Sequence, residues 1–188
     1  MGCDIHLRLE KKLKKEKKRN EYYTQKAGEW EPCFIFQRRV TWSDRIYGMF
    51  ALLGNVRNYN DYEHIPLRGL PKDCCDETLS CYGSVVCDKE KTEYYDWEYP
   101  RKEAEEWVSE GLSYYFKIGD TEYCSCPDWH SPNWCTTQEM EDCINKLFKN
   151  EDGTYKGYYI EWLALLGAMK GYEASGEYEC RAVFWFDN

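Results

Sequence analysis

The chain has 188 residues, 43% of them apolar and 17% aromatic, with eight Trp and 17 Tyr. That length suits one domain with a real core, and so many amphipathic rings imply that some line a surface or pocket. A net charge of -9 argues against generic coating of DNA or RNA, yet leaves room for a small anionic ligand in one basic pocket.

The opening "MGCDIHLRLE" alternates apolar Cys3, Ile5, Leu7 and Leu9 with polar Asp4, His6, Arg8 and Glu10. A period of two predicts a half-buried strand whose polar face carries Asp4, His6 and Arg8 together. The lysine-rich run that follows makes residues 10–28 an exposed basic hairpin tip, read either as a solvated surface or as a phosphate-attracting rim. "EWEPCFIF" (29–36) reads as a strand returning against the first. "SDRIYGMFALLGNV" reads as a short amphipathic helix, with Ser43 as N-cap, Ile46, Met49, Phe50 and Leu53 in one stripe, and Gly54-Asn55 as its end. From 55 to 99 the chain is Gly, Pro, Asp and Cys punctuation with little periodicity, a long irregular segment of a kind often functional.

"PRKEAEEWVSEGL" (100–112) is expected to be a helix with Pro100 near its first turn, and "LSYYFKIG" a strand. "TTQEMEDCINKLFKN" (136–150) carries a capping box, Thr136 to Glu139, ahead of a stripe of Met140, Ile144, Leu147 and Phe148. "YYIEWLALLGAMKGYEASG" (158–176) is an apolar helix that packs on the sheet. "YECRAVFWF" (178–186) turns apolar on both faces, as a central strand does. Residues 1–188 are thus expected to form a single α+β domain, an antiparallel or mixed sheet with both terminal strands in it and several helices packed on it.

No stretch approaches the roughly 20 apolar residues of a membrane span, and no apolar signal sequence is seen, so the expected location is cytoplasmic. "MGCDIH" opens with Met-Gly, but His6 stands where a myristoylation signal wants Ser or Thr. Eleven cysteines are an odd number, and without export reduced thiols are expected. Cys74, Cys75, Cys81 and Cys87 form one group and Cys124, Cys126 and Cys135 another, neither with paired C-x-x-C spacing. A structural zinc on Cys124, Cys126, His130 or Cys135 stands as the alternative.

No P-loop, nucleophile elbow, G-x-G-x-x-G or H-E-x-x-H occurs. The D-x-H of Asp4 and His6 has an echo in Asp128 and His130 of "CPDWHSPNW" (126–134), which reads as a loop entering the capped helix. Three readings compete. In one, His6 and His130 are acid and base, with Asp4 and Asp128 orienting them and Arg57 or Arg45 holding an anionic group. In another, the two pairs share one divalent metal that activates water, a cofactor that the first reading does not require. In the third, both pairs are structural. His64 has no carboxylate two residues before it and reads as a loop residue. Trp129, Trp134, Tyr59 and Tyr62 would suit stacking on a base or sugar, although core packing explains aromatic abundance as well.

"MGCDIHLRLE", "DRIYGMFALLGNVRN" with "IPLRGLPKD", "DWHSPNW" before a T-x-x-E helix, and the terminal "RAVFWFDN" occur in that order. The chain resembles a widespread family of small, mostly uncharacterised proteins of tailed bacteriophages and prophages that open with MGCDIH. The pattern matches at Asp4, His6, Arg45, Tyr47, Phe50, Arg57, Gly69, Pro71, Asp128, His130 and Ser131. The lysine-rich expansion and many of the cysteines depart from it, which weakens the zinc alternative. The resemblance favours a functional role for the D-x-H pairs, places the protein in the cytoplasm of an infected bacterium, and supplies no reaction.

By analogy with other phage accessory factors, a counter-defence role is expected: inactivation of a small nucleotide-type signal by hydrolysis or phosphodiester cleavage. His6 and His130 would catalyse, oriented by Asp4 and Asp128. Arg57, Arg45, Ser131, Trp129 and Tyr47 would hold the ligand. A non-catalytic sponge for the same class of ligand, a small nucleotide that is cyclic or linear, is the alternative, and an inhibitor covering a host protein is a third. A homo-oligomer is compatible with all three.

Overall fold

A computed structural model of the chain describes residues 2–33, 45–90, 98–156 and 159–187. The first strand, β1 (Ile5–Leu13), pairs with the last, β10 (Tyr178–Phe186), antiparallel along nine residues, from Ile5 opposite Phe186 to Leu13 opposite Tyr178. Beyond β1 lies β4 (Trp30–Pro32), and beyond β10 lies β9 (His130–Thr136), giving the order β4-β1-β10-β9. The two terminal strands therefore form the centre of one sheet, as their apolar content predicts. Residues 34–36 of the expected second strand lie outside the described residues.

The lysine-rich tip is a small hairpin of β2 (Lys17–Lys18) and β3 (Thr24–Gln25). A second, mixed sheet runs β6-β5-β8-β7, built from β5 (Gly83–Cys87), β6 (Glu98–Pro100), β7 (Tyr115–Ile118) and β8 (Thr121–Ser125), with β5 and β6 parallel. The helices are α1 (Tyr47–Gly54), α2 (Asp76–Tyr82), α3 (Arg101–Ser109), α4 (Thr137–Phe148) and α5 (Ile160–Ala174). Together these elements form a single compact α+β domain. None of the helices among the described residues is long and apolar enough to cross a membrane.

Two corrections to the sequence reading concern the middle of the chain. The segment 55–99 is not irregular throughout: it contains α2, β5 and the start of β6. "DWHSPNW" is not simply a loop, because His130 begins β9. That strand carries an extra residue between its pairings with Phe184 and Phe186, and Ser131 there has a left-handed φ of 48°. A bulge of this kind hides the strand from periodicity.

The odd residues of β1 face the core. Cys3, Ile5, Leu7 and Leu9 pack with Met49, Phe50 and Leu53 of α1, Met140, Ile144 and Phe148 of α4, and Trp162, Leu165 and Met169 of α5. The capping box that starts α4 is formed, with Glu139 N–H donating to Thr136 Oγ1 at 3.2 Å and Thr136 N–H to the Glu139 carboxylate at 3.0 Å. Helix α1 begins at Tyr47; Ser43, the expected cap, lies outside the described residues, and Ile46 in the cap position makes no side-chain cap bond. Asn55 closes that helix in the left-handed conformation.

Gly54 allows the end of α1 to touch the sheet. A Cβ at that position would stand 2.4 Å from Cε2 of the fully buried Phe186. Gly54→Ala is therefore expected to destabilise by about 1–3 kcal/mol through overpacking. Urea unfolding checks this; an unchanged midpoint would mean that the ring moves aside at no cost.

The even face of β1 is covered at His6 and Glu10, contrary to the half-buried expectation, while Arg8 and Lys12 stay partly exposed. His6 is 4% exposed and Glu10 fully buried. Glu10 accepts from Arg181 Nε at 2.7 Å and from Cys75 N–H at 3.0 Å, and Arg181 Nη1 donates to Asp73 at 2.7 Å with Trp30 stacked 3.8 Å from its guanidinium carbon. This network clamps the chain around Asp73–Cys75 onto the sheet. Burial, with Glu10 adjacent, pushes the Cys75 thiol up to about 12, so it stays neutral. All eleven cysteines are free thiols.

Candidate functional site

The register of the terminal strands assembles the site at one end of the main sheet. With Ile5 opposite Phe186, the residues just outside that pair, Asp4 and Asp187, meet. Asp4 N–H donates to Asp187 Oδ1 at 2.9 Å, and Asp187 N–H returns a bond to the Asp4 carbonyl at 3.2 Å. The other Asp187 oxygen lies 2.8 Å from His6 Nε2. Asp187, not Asp4, is thus the carboxylate that orients His6.

Asp4 instead takes the fork of Arg45, Nε at 2.8 Å and Nη2 at 3.3 Å. The hydrogen bond and charge of Asp4 hold Arg45 still more firmly protonated. Gly2 leaves room for this guanidinium, since a Cβ there would overlap it.

Arg57 comes from the loop after α1 and has a left-handed φ of 51°. Its guanidinium carbon stands 5.5 Å from the centre of the Tyr47 ring, and its Nη1 donates to Tyr59 Oη at 3.2 Å. Asn58 builds that loop by donating to Asn55 Oδ1 and the Tyr62 carbonyl, both at 2.9 Å, and accepting from Tyr62 N–H at 2.8 Å. Burial and Asp187 raise the pKa of the neighbouring Cys3 thiol, against the opposing pull of Arg57.

His6 lies flat on Trp185, ring centres 5.9 Å apart at 9°, and tilted against Trp129 at 5.3 Å. Tyr82 completes the cluster at 5.2 Å from Trp185 and 5.8 Å from Trp129. His130 stacks instead on Phe186 at 6.1 Å. Trp185 and Phe186 are consecutive on β10 and point to opposite faces. The two imidazoles are therefore separated by the sheet itself.

Several expectations are corrected by this placement. The His6–His130 acid–base pair is not assembled. Asp128 is exposed and makes no hydrogen bond among the described residues, so it does not orient His130. His130 Nδ1 pairs with its neighbour Ser131 Oγ at 3.1 Å, and its Nε2 is buried with no hydrogen-bond partner among the described residues. Trp129 belongs to the aromatic cluster on the His6 face, not to the Arg57 side. Asp4, His6, Asp128 and His130 do not converge on a metal, and among the described residues no group of three or more His, Cys, Asp or Glu could hold one.

The sheet end does gather Asp4, His6, Arg45, Tyr47 and Arg57, with His130 and Ser131 entering on β9. Sequence reasoning missed Asp187, Tyr82 and Trp185. Asp187 sits in the quoted terminal block, and only the antiparallel register reveals its partners. Comparison with protein-family models, with curated proteins and with solved structures returns no match.

Proposed function

We propose that the chain captures a small phosphate-bearing ligand of nucleotide type at this sheet end and sequesters it. One observation carries the reading: Arg57, bracketed by Tyr47 and Tyr59, is held in a left-handed backbone conformation at the same end of the sheet as the left-handed Ser131. Such strain costs about 1–3 kcal/mol per residue and collects at functional sites. A guanidinium offers phosphate a rigid fork of donors, and Tyr59, 73% exposed, offers a base a stacking surface. The resemblance to phage proteins adds, by analogy, a role in depleting a host signal.

A second reading keeps hydrolysis on His6, with Asp187 in place of Asp4 as its orienting carboxylate and without His130. The 2.8 Å contact of Asp187 with His6 is the geometry that orients a general base. It requires the ligand to reach a ring that is 4% exposed.

One experiment separates the two. The protein is incubated with a panel of linear and cyclic nucleotides, freed of excess ligand and heat-denatured, and the released molecules are weighed. Sequestration predicts unchanged nucleotide, with Arg57→Ala about 10- to 100-fold weaker in affinity, the usual worth of a charged hydrogen bond. A cleaved product that disappears in His6→Ala would instead establish hydrolysis. Neither retained nucleotide nor product would overturn both.

A further inference from the structure

The lysine-rich hairpin of β2 and β3 is built from residues separate from those of the sheet end. Residues 11–26 contain eight Lys or Arg and two Glu, a local charge of +6 in a chain of -9, so the remainder carries -15. Part of this charge is spent on anchoring. Lys17 pairs with Glu177, Arg19 donates to Tyr178 Oη at 2.6 Å and to Gln25 Oε1 at 3.0 Å, and Lys11 and Lys12 pair with Glu31 and Glu179. Lys14, Lys15, Lys18 and Lys26 are exposed and form no ion pair among the described residues.

The tip between the strands displays two aromatic rings. Tyr22 is 90% exposed and Tyr23 55%. Their turn is built: Tyr22 N–H donates to Asn20 Oδ1 at 2.9 Å and Arg19 N–H to the Tyr23 carbonyl at 3.0 Å. Gln25 is buried beside Tyr178, whereas Lys18 and Thr24, paired with each other, are exposed. An ordered turn that holds tyrosine rings in water among exposed lysines gains nothing for the core.

We infer that this hairpin binds single-stranded nucleic acid, lysines on the phosphates and Tyr22 and Tyr23 stacked on unpaired bases. Stacking on aromatic rings is sequence-tolerant, and a basic strip tracks the backbone. The acidic body repels a polyanion, which confines contact to a few nucleotides at the hairpin. A duplex hides its base faces and gives the tyrosines nothing to stack on.

The test is fluorescence anisotropy of the full chain with a labelled oligo-dT of about 15 nucleotides and with a duplex of equal length. Each phosphate contact on a single strand contributes a slope of about -0.7 in log affinity against log salt. Four lysines thus predict a slope near -3, or about 50-fold weaker binding between about 50 and 200 mM salt. Replacing Lys14, Lys15, Lys18 and Lys26 with Gln should flatten the slope. Tyr22→Ala with Tyr23→Ala should weaken oligo-dT binding about 10-fold or more and leave the slope intact. All six side chains are largely exposed, so an unchanged thermal midpoint verifies that the variants fold.

No oligo-dT binding at the lower salt overturns the inference. So does binding that is equal on duplex and indifferent to the tyrosines, which is bare Coulomb attraction, or binding that survives loss of the four lysines. Capture by phosphatidylserine vesicles without capture of oligo-dT would assign the hairpin to membranes and overturn it too.

Discussion

Arg181→Ala is expected to destabilise the protein by about 3–5 kcal/mol, because it leaves the fully buried Glu10 without its counter-charge. Arg181 is itself 3% exposed, and its loss also frees Asp73 and removes the cation stacked on Trp30. Among the described residues, what remains for the Glu10 carboxylate is the Cys75 N–H at 3.0 Å and the Cys74 thiol at 3.3 Å. Replacing both Glu10 and Arg181 with Met should recover much of the loss, since the cost lies in the orphaned charge. Urea unfolding followed by tryptophan fluorescence measures both variants. A single variant within about 1 kcal/mol of the parent would mean that the pair is hydrated, contrary to its burial.

The same network gives an acid limb to the stability. Burial alone would raise the Asp73 pKa, but Arg181 and the Trp30 N–H outweigh it and hold the carboxyl below its ordinary value. Its contribution is therefore full above the ordinary carboxylate range of about 4 and lost as pH falls through the lowered value. Arg181→Ala should remove that part of the acid sensitivity.

Leu7→Asp is expected to abolish the fold. Leu7 is 1% exposed in the core and faces Phe184 across the two central strands. An unpaired carboxylate there costs several kcal/mol, against a total stability of about 5–15 kcal/mol for a typical domain. Leu7→Ala, which leaves only a cavity, should cost about 2–5 kcal/mol and stay folded. Near-UV circular dichroism separates the two outcomes. A native spectrum from Leu7→Asp would show that the strand can slip its register to expose position 7.

Patterns held in short windows were legible: both terminal strands, the capping box at Thr136, the stripe of α4 and the apolar α5. The second sheet was legible only at β7, which falls within the expected strand "LSYYFKIG". Its strand β5 is five residues, "GSVVC", set among Gly and Cys punctuation. The polar face of β1 misled for a different reason. Alternation assigns His6 and Glu10 to water, and they are buried because partners far along the chain, Asp187, Arg181 and Cys75, satisfy them. Recurrence of D-x-H suggested one site, but faces are set by pleat and bulge, and these send His6 and His130 to opposite sides.

The pairing of β1 with β10 also bears on how the chain emerges during synthesis. Partners about 180 residues apart, made at roughly 5–20 residues per second, leave the first strand waiting about 10–35 s for its neighbour. Throughout that interval Ile5, Leu7 and Leu9 have no sheet to join, and a naked apolar strand is a template for aggregation. Lys11, Lys12, Lys14 and Lys15 follow directly, flanking it as charged gatekeepers do. The lysine run thus sets like charges beside the nascent strand, which opposes pairing between copies until β10 is made and closes the sheet.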